Sequence, residues 1–453
     1  MWKRNSESMN LFFVSLGCDK NLVDSEKMIA LLASQNISVT STPEDAEIII
    51  VNTCGFIHDA KEESIETILE MAEYKKTGKC VSLIMTGCLA QRYADDIQKE
   101  IPEVDAVVGT TAYDRIFEVV KDTLQGKKEC ALNDLDYLPK NLTNRVHTSS
   151  GYSSYLKIAE GCSKHCTYCI IPKLRGNYRS VPMEELLVEA EQLSKEGTKE
   201  LIVIAQETTV YGVDLYGEKR LPKLLHELCK IDGIEWVRLL YCYPEEITEE
   251  LVQTIKTEKK ICHYLDLPIQ HCNDDILKRM GRKTTQADLR EKISMLRKEI
   301  PDIALRTTLI SGFPGETNEN HEECVDFVAN MKFERLGVFP YSPEEGTPAA
   351  GYDRQLPEEI KQEWADEIMQ TEQNVIFAQN EEMIGRRLSV IVDGYLPEDG
   401  VYVGRTYRDA PEIDGCLFFE APYEIISGTI LPVLVTDANG YDLIGEILPE
   451  EDD

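Results

Sequence analysis

The chain has 453 residues, with 48 Lys and Arg against 81 Asp and Glu, and its formal net charge is -33 at pH 7. This length predicts two to four domains, since a domain usually holds about 100 to 200 residues. No uninterrupted apolar run approaches the roughly 18 residues that a membrane span needs, so a transmembrane protein is excluded. So acidic a chain repels phosphate backbones, which favours a basic protein over a nucleic acid as macromolecular partner.

The amino terminus has neither a long apolar segment nor a small-residue cleavage site, which predicts no export signal and a cytoplasmic location. The chain contains 14 Cys. In a reducing compartment cysteines are more often metal ligands or catalytic groups than disulfides. The pattern leaves open whether the native chain starts at Met1 or at Met9.

The first part of the chain alternates short apolar runs with segments of helical period. The predicted strands are 11–15, 48–51, 81–85 and 106–108, and the predicted helices are 19–34, 60–76, 91–100 and 113–124. This alternation predicts a doubly wound parallel sheet of flavodoxin-like type over residues 9–125. Residues 126–147 contain Gly, Asn and Pro without a sustained period, which predicts a linker.

A second and longer alternation follows. Its predicted strands are 155–159, 201–205, 237–241, 264–267, 304–310 and 336–340, with helices at 183–195, 221–231, 248–256, 285–299 and 318–331. Six strand-helix units predict a partial (β/α)6 barrel over residues 148–379, short of the eight units that close such a barrel.

After a long helical stretch at 357–382 the period changes. Five short segments rich in β-formers, punctuated by Gly and Pro, occupy 388–392, 401–405, 417–419, 430–435 and 443–447. They predict a small antiparallel β-barrel over residues 380–447. The acidic end at 450–453 is expected to be a solvated tail.

Three cysteines follow the first predicted strand of the partial barrel at the spacing C-x3-C-x2-C: Cys162, Cys166 and Cys169. Three thiolates on a four-iron cubane leave one iron free for an exogenous ligand. The alternative is structural zinc, which normally takes four protein ligands, and His165 does not stand at a usual fourth-ligand spacing. The spacing therefore favours an iron-sulfur cluster.

This motif, placed after the first strand of a partial barrel, resembles that of the radical S-adenosylmethionine (SAM) enzymes. The resemblance implies that the free iron is chelated by the amino and carboxylate groups of SAM. It also implies that the reduced cluster, supplied with an electron by a donor protein, cleaves the sulfonium to a 5'-deoxyadenosyl radical. The surrounding barrel is expected to keep water and oxygen away from that radical.

A second set of cysteines, Cys18, Cys54 and Cys88, lies in the first domain. Each lies just beyond the carboxyl end of its own predicted strand and beside a glycine, where open parallel sheets place their ligand sites. The three are therefore expected to converge in space. The alternative is that they are buried small hydrophobic residues, as free cysteines often are.

Together the two triads resemble the methylthiotransferase branch of the superfamily, and the similarity covers nearly the whole chain. It implies an auxiliary 4Fe-4S cluster in the first domain, a radical 4Fe-4S cluster in the core and a carboxyl-terminal TRAM barrel. By position, the auxiliary ligands are Cys18, Cys54 and Cys88, and the radical-cluster ligands are Cys162, Cys166 and Cys169. Two uses of SAM are implied: one donates a methyl group to cluster-associated sulfur, and the other makes the radical. No catalytic residue beyond the cluster ligands is predicted.

Six residues are predicted to contact SAM, Arg179 because of the chemistry of its side chain and the others because their motifs are similar to those of the family: Tyr168, Arg179, Gln206, Glu207, Ser311 and Gly312. Tyr168 resembles the aromatic residue that flanks adenine, and Gln206 with Glu207 resembles the place where a polar group meets the amine. At this place the family more often has Gln-Asp. Ser311 and Gly312 resemble the adenosine-binding stretch after strand five, and the alternative is that they form a plain βα turn.

Arg179, together with Arg175, is a candidate to pair with the SAM carboxylate through a bidentate fork. The competing interpretation is that both are solvated loop arginines. The remaining eight cysteines show no pattern and are predicted to be packing residues: Cys80, Cys130, Cys229, Cys242, Cys262, Cys272, Cys324 and Cys416. The lone histidines His58, His271 and His321 are expected at the surface.

The methylthiotransferase branch divides into enzymes that modify adenosine in transfer RNA and enzymes that modify an aspartate of ribosomal protein S12 (uS12). Residues 381–448 contain four Arg, no Lys and thirteen acidic residues, a net charge of four minus thirteen, or -9. A barrel that grips RNA should carry a basic face. The stretches 341–349 and 404–415 also resemble the branch that modifies the ribosomal protein.

We therefore predict a monomeric enzyme that adds a methylthio group to the β-carbon of an aspartate in uS12, using two SAM molecules and a sulfur donor. The acidic barrel is expected to dock this basic protein, for which opposite charge speeds encounter. Direct binding of nucleic acid is not required. Two alternatives stay open: a transfer-RNA methylthiotransferase, and a non-catalytic metal-binding scaffold.

Overall fold

The computed structural model describes residues 9–139, 144–148 and 150–448. The segment before Met9 and the acidic tail at 450–453 lie outside the described residues. In the part of the chain that is described, no helix is both long and apolar enough to cross a bilayer.

The first domain is a six-stranded parallel sheet with strand order β2-β1-β3-β4-β5-β6, which confirms the flavodoxin-like prediction. Its strands are β1 (Met9–Ser15), β2 (Ile37–Val39), β3 (Ile48–Thr53), β4 (Ser82–Gly87), β5 (Ala106–Val108) and β6 (Glu129–Ala131). Its helices are α1 (Asp19–Ala33), α2 (His58–Thr77), α3 (Cys88–Arg92), α4 (Ala94–Glu100) and α5 (Ile116–Thr123). Every residue of the central strands β3 and β4 is buried, which explains their continuous apolar runs.

The predicted linker contains a strand that the sequence did not reveal. Strand β6 pairs with β5 and forms the edge of the first sheet. It has only three residues, Glu-Cys-Ala, and is too short for a period of two to be recognised. The predicted linker, which starts at residue 126, therefore includes the edge strand of the first sheet.

The core is a partial barrel of six parallel strands in the order β14-β13-β12-β11-β10-β7, as predicted. These strands are β7 (Ser153–Lys157), β10 (Glu200–Ile204), β11 (Trp236–Leu239), β12 (Ile261–Asp266), β13 (Ala304–Ser311) and β14 (Arg335–Pro340), and the short β8 (Ala159–Glu160) pairs with β9 (Arg179–Ser180). The helices are α6 (Ile171–Arg175), α7 (Met183–Lys195), α8 (Val213–Tyr216), α9 (Leu221–Cys229), α10 (Glu249–Thr257), α11 (Asp274–Arg279), α12 (Gln286–Glu299), α13 (Asn318–Met331) and the long α14 (Glu358–Glu381).

The carboxyl-terminal domain is a closed five-stranded barrel in the order β15-β16-β17-β19-β18. The strands are β15 (Arg387–Leu396), β16 (Val401–Thr406), β17 (Leu417–Glu420), β18 (Ile430–Asn439) and β19 (Asp442–Ile447). Four pairs are antiparallel, but β17 and β19 pair in parallel, so the barrel is not wholly antiparallel as predicted. An odd number of strands cannot alternate in direction around a closed ring, and one parallel pair is the consequence.

The small barrel closes the amino-terminal end of the core barrel. Arg405 forms ion pairs with Glu200, the first residue of β10, at 3.0 Å and with Asp393 at 3.0 Å. Asp409 pairs with Arg335, the first residue of β14. Since these partners begin their strands, the third domain lies at the opposite end from the loops that follow β7 and β10.

The stretch 404–415, which resembles the branch that modifies the ribosomal protein, is part of this closure. Asp414 accepts a hydrogen bond from the Tyr264 hydroxyl at 2.7 Å, and Ala410 is buried among side chains of the barrel interior. Asp409 and Arg408 are buried as well, so these charges are not available to a partner. The surface of the small barrel is nevertheless acidic, because it exposes nine acids and two arginines. The acids are Glu381, Glu382, Glu398, Asp399, Glu412, Glu420, Glu424, Asp437 and Glu446, and the arginines are Arg386 and Arg387.

Side chains from all three domains fill the interior of the core barrel. One apolar cluster contains Val23 of α1, Ile202 and Tyr264 of the barrel strands, and Ala410 of the third domain. The open sheet therefore does not close on itself but is completed by its neighbours. We infer that the three domains stabilise one another.

Glu372 of α14 predicts a pH dependence of stability. The Tyr441 hydroxyl donates to its carboxylate at 3.1 Å, and burial raises the pKa of Glu372 from 4.5 to about 7. Between these two values the folded protein holds a proton that the unfolded chain has released, so this contribution to stability is complete below about pH 4.5 and is lost as the pH rises through 7. We expect Glu372→Gln to be more stable than the unmodified protein at pH 8, by up to about 3 kcal/mol, and nearly equal to it at pH 4.5. Urea unfolding at a series of pH values measures the difference, and a difference that does not change with pH would contradict the assignment.

Candidate metal centres

The first three cysteines lie together at the carboxyl end of the first sheet. Cys18 follows β1, Cys54 follows β3 and Cys88 follows β4, and these are neighbouring strands. The loops touch: a Cβ atom on Gly17 would lie 2.8 Å from Cys54 Cβ, and one on Gly55 would lie 3.0 Å from the carbonyl carbon of Cys88. Glycine is required at both positions because a side chain would force the loops apart.

The three cysteines of the first triad differ in their exposure to solvent. Cys18 is exposed, Cys54 is half-buried and Cys88 is buried. Burial raises the pKa of the Cys54 thiol to about 11 and raises the pKa of Cys88 as well, while the nearby Arg175 guanidinium opposes both shifts. Without a bound cation these two thiols are protonated at neutral pH, so they need a positive group to hold them as thiolates.

The second triad lies in the loop that joins β8 to α6. Cys162 and Cys166 are buried and Cys169 is half-buried, with the Cys169 N–H donating to the carbonyl oxygen of Cys166 at 3.0 Å. Burial raises the pKa of Cys162 to about 11 and moves the pKa of Cys169 in the same direction.

The spacing of the sulfurs within each triad distinguishes two kinds of metal centre. One tetrahedral zinc ion would hold its sulfur ligands about 3.8 Å apart. In neither triad do the three sulfurs all lie within 4.8 Å of one another. A cluster of several irons spreads its ligands more widely than one ion, so this spacing disfavours a single zinc ion in either triad.

The two triads lie side by side across the domain interface. Cys88 packs against Ile170, which directly follows Cys169, and against Leu174 of α6. The Thr110 hydroxyl donates to the carbonyl oxygen of Leu174 at 2.7 Å. Helix α3, which begins at Cys88, is therefore held against the helix that follows the second cysteine loop.

Arg175 is the side chain that joins the two centres. It is 1% exposed, and its guanidinium lies 3.0 Å from Asp24 of α1 and 3.0 Å from Glu160, two residues before Cys162. Lys157 pairs with the same two carboxylates. Burial raises the pKa of Glu160, but the charges of Arg175 and Lys157 outweigh it and hold this pKa well below its usual range. The four groups are thus two buried cations and two buried anions with no net charge.

This network changes the interpretation of Arg175. The sequence made it a candidate partner of the SAM carboxylate, or a solvated loop residue, but it is buried and already bound to acids of the protein. Its other amino group donates to the side-chain oxygen of Asn21 at 2.5 Å. Asn21 and Asp24 of α1 were missed as site residues because nothing local marks a polar face of that helix as buried, and Glu160 was missed because no local pattern shows that this last residue of β8 is buried.

Gln206 and Glu207 lie at the carboxyl end of β10, beside this network. The Gln206 amide donates to Glu160 at 3.1 Å, and its side-chain oxygen is buried without a hydrogen-bond partner. Glu207 accepts the Thr209 N–H at 2.9 Å through one oxygen, while the other is buried without a hydrogen bond and forms an ion pair with Lys164 Nζ at 3.7 Å. Burial raises the pKa of Glu207 to about 7. Two unsatisfied acceptors beside Cys162 are what a cationic amine would bind.

The other four residues predicted to contact SAM already make contacts within the protein. Tyr168 lies edge-on to Phe313 at 6.5 Å and stays half-buried. The Arg179 guanidinium donates to backbone carbonyls of its own loop, which leaves one buried N–H, at Nε, without a partner. The Ser311 hydroxyl donates to the carbonyl oxygen of Lys361 in α14 at 2.8 Å, and Gly312 lies against the Lys361 side chain. The SAM contacts of these four residues stay predictions.

A further group of metal-binding residue types lies beside the core. His271 is 1% exposed, not at the surface as expected, and Cys272 Sγ lies 3.2 Å from Cys324 Sγ. Cys324 Sγ is 3.6 Å from Nδ1 and 3.5 Å from Nε2 of His271, so it lies over the ring face and along neither nitrogen lone pair. Since Nδ1 also accepts the Asn273 N–H at 3.0 Å, this arrangement is a packed core and not a metal site.

The stretch 341–349 also has a structural role. Glu344 forms ion pairs with Lys61 of α2 at 2.8 Å and with Arg92 of α3 at 2.9 Å. Arg92 also donates to the carbonyl oxygen of Glu345 at 2.7 Å. The acidic residues of this stretch therefore bind the core to the first domain.

Comparison with known proteins agrees with this three-domain architecture. Residues 10–109 match the uncharacterized protein family UPF0004, residues 156–328 match the radical SAM superfamily, and residues 384–448 match the TRAM domain.

Curated relatives match almost the whole chain. The ribosomal protein uS12 methylthiotransferase RimO of Lachnoclostridium phytofermentans is 61% identical over 96% of this chain and 99% of its own. The RimO of Clostridioides difficile is 49% identical, over 96% and 98%. The chain belongs to the RimO family of methylthiotransferases.

Solved structures agree with the fold. A radical SAM methyltransferase, TsrM of Kitasatospora setae, with cobalamin and a [4Fe-4S] cluster bound, aligns with a TM-score of 0.55 at 13% identity. The alignment covers 76% of this chain and 77% of that one. At this identity the similarity concerns the fold alone.

We expect Arg175→Met to destabilise the contact between the first domain and the core by about 3–5 kcal/mol, because Asp24 and Glu160 would keep their buried charges with only Lys157 to balance them. Urea unfolding of metal-free protein checks this. Arg175→Lys keeps the positive charge but lacks the planar guanidinium that binds two acceptors at once. It should therefore recover part of the unfolding free energy that Arg175→Met loses.

Arg179→Met is the matched control, since Arg179 is half-buried and its guanidinium donates to backbone carbonyls. It should cost no more than about 1–2 kcal/mol. Equal unfolding midpoints for Arg175→Met and Arg179→Met would show that the network does not hold the domains together.

Proposed function

We propose that this protein adds a methylthio group to the β-carbon of an aspartate in ribosomal protein uS12, using two SAM molecules and a sulfur donor. The observation that carries the proposal is the contact between the two cysteine triads, with Cys88 packed against the residue that follows Cys169. One site for sulfur and one for radical formation must lie close together if both are to act on one carbon.

The residues that would hold the two clusters are the six cysteines, with Cys18, Cys54 and Cys88 on one and Cys162, Cys166 and Cys169 on the other. When bound, the clusters and SAM supply a 5'-deoxyadenosyl radical and a sulfur atom. This chemistry is needed because the carbon next to a carboxylate is a poor acid, and neither a base nor a nucleophile cleaves its C–H bond readily.

The residues of this chain bind and orient SAM and exclude water from the site. Gln206 and Glu207 receive the amine of SAM with the side-chain oxygens that lack a hydrogen bond, and Tyr168 flanks its adenine. Arg179 is proposed to reach the carboxylate through its free Nε–H, and Ser311 and Gly312 to line the adenosine with backbone. The interior packing below them, with Val23 and Tyr264, keeps water from the reacting groups.

The proposed partners follow from charge. The exposed surface of the small barrel carries nine acids against two arginines, which disfavours the transfer-RNA alternative, since RNA binding depends on contacts from Lys and Arg to phosphate. A ribosomal protein, which itself binds RNA, presents such cations. We further propose a monomer in the cytoplasm that takes its electron from a donor protein.

Two cysteine substitutions separate radical formation from sulfur transfer. Cys166→Ala should abolish 5'-deoxyadenosine formation in anaerobically reconstituted enzyme, because it removes a ligand of the SAM-binding cluster. Cys54→Ala should leave 5'-deoxyadenosine formation within about twofold of the unmodified enzyme and abolish methylthio transfer to uS12, measured by mass spectrometry of the aspartate-containing peptide.

Cys80→Ala is the control, since Cys80 is buried before the start of β4, at the opposite end of that strand from Cys88, and its substitution should change neither product. Persistent 5'-deoxyadenosine formation by Cys166→Ala would show that the cluster ligands are misassigned. Modification of a transfer-RNA adenosine in place of uS12 would replace the proposed function by the alternative, and zinc retention without iron-sulfur absorption would favour the scaffold.

The binding of SAM should depend on pH through Glu207. Burial raises the pKa of Glu207 to about 7, so below pH 7 its carboxyl is protonated and offers no charge to the amine. We expect the Kd for SAM to rise by up to about tenfold for each unit that the pH falls below 7, and to level off above it.

Glu207→Gln should bind SAM at every pH with the weak affinity that the unmodified enzyme has at low pH. Glu246 is a neighbouring acid that also pairs with Lys164, and Glu246→Gln should keep the pH dependence of the Kd. Calorimetric titration of the reconstituted enzyme with SAM between pH 6 and 8 is the measurement. A profile that keeps its slope in Glu207→Gln would remove Glu207 from the binding site.

A further inference from the structure

Helix α2 presents an apolar strip to solvent beside the first cysteine triad. Phe56, Ile57, Ile65 and Leu69 are 38%, 37%, 41% and 48% exposed. Phe56 and Ile57 form the entry to the helix directly after Cys54, and Ile65 and Leu69 stand one turn apart on its surface. We call these four residues the α2 strip.

The α2 strip is held close to the metal centre. The Ser64 hydroxyl, from the buried side of α2, accepts the Cys54 N–H at 3.0 Å. Leu69 lies five residues further along the helix, which is about 7.5 Å of rise. A chain lying on this strip therefore passes within a short reach of Cys54 and of the exposed Cys18.

Acidic groups border the strip. Six carboxylates between residues 56 and 73 are exposed: Asp59, Glu62, Glu63, Glu66, Glu70 and Glu73. Lys61 is the single Lys or Arg in this stretch, and it is occupied by its ion pair with Glu344 at 2.8 Å. The surface is therefore apolar along its centre and strongly negative at its edge.

We propose that the α2 strip and its acidic border dock a lysine- and arginine-rich segment of uS12 beside the aspartate that is modified. The proposal rests on the proposed function and names the surface that receives its substrate. Charge complementarity selects this occupant, because a protein that binds ribosomal RNA presents Lys and Arg, whereas RNA itself would be repelled.

The position of the other acidic surface supports this choice. The small barrel lies at the amino-terminal end of the core strands, through the ion pairs of Arg405 with Glu200 and of Asp409 with Arg335. The cysteine loops lie at the opposite end. The α2 strip is continuous with the Cys54 loop, so contacts made there orient a substrate at the site.

The test compares two α2 variants with matched controls in holoenzyme carrying both clusters. Ile65→Ser with Leu69→Ser removes the apolar contact, and Glu62→Lys with Glu66→Lys reverses the charge. The controls are Val188→Ser and Glu191→Lys on α7, an outer helix of the core, where Val188 is 55% exposed and Glu191 is exposed. All of these side chains are at the surface, so the fold should tolerate the changes.

Each α2 variant should raise the KM for purified uS12 by about tenfold or more, with kcat and the formation of 5'-deoxyadenosine in the absence of uS12 unchanged. We expect the KM of the unmodified enzyme to increase with ionic strength, and the charge-reversed variant should lose this increase. The α7 controls should behave like the unmodified enzyme.

Unchanged KM values in both α2 variants, with uS12 still modified, would overturn the docking proposal and leave the proposed function intact. A lower kcat at an unchanged KM would also overturn it, because that result indicates a disturbed metal centre. If the unmodified enzyme itself neither binds nor modifies uS12, the proposed function fails first and the docking proposal fails with it.

Discussion

The buried ion network around Arg175 is the contact on which the arrangement of the two centres depends. Arg175 and Lys157 of the core face Asp24 of α1 and Glu160 of the cysteine loop, and no net charge remains. Taking these ions out of water is costly, so the network is stable only when the domains dock in one register. That register places Cys88 against the loop of Cys169.

The same principle operates at the other interfaces. Arg145 and Lys27 pair with Glu26 and Glu189 between α1 and α7, and Arg405 with Arg238 encloses Glu200 beneath the barrel. Apolar residues from all three domains complete the interior of the open barrel. The cysteines proposed for sulfur transfer and those proposed for radical formation belong to separate domains, and these interfaces hold the two sets close together.

The regular elements could be predicted well from local pattern. Strands β3 and β4 are buried on both faces and read as continuous apolar runs, and the helices of the core show their period clearly. Strand β6 was missed because three residues carry no period, and the parallel pair β17–β19 was missed because pairing direction follows from ring closure. Helix α1 was predicted as a helix, but its polar residues Asp24 and Glu26 are buried, which no amphipathic pattern indicates.

The amino-acid sequence alone was enough to name the candidate cluster ligands, because the spacing of Cys162, Cys166 and Cys169 within one loop and the position of Cys18, Cys54 and Cys88 after three strands are local properties of the chain. The folded structure was needed to show which charges are buried, that Arg175 is bound to Asp24 and Glu160, and that the stretch 404–415 closes the amino-terminal end of the core barrel. Arg175 and Asp24 are 151 positions apart and Tyr264 and Asp414 are 150 positions apart, and a local pattern contains no information about which distant partner will compensate a buried charge.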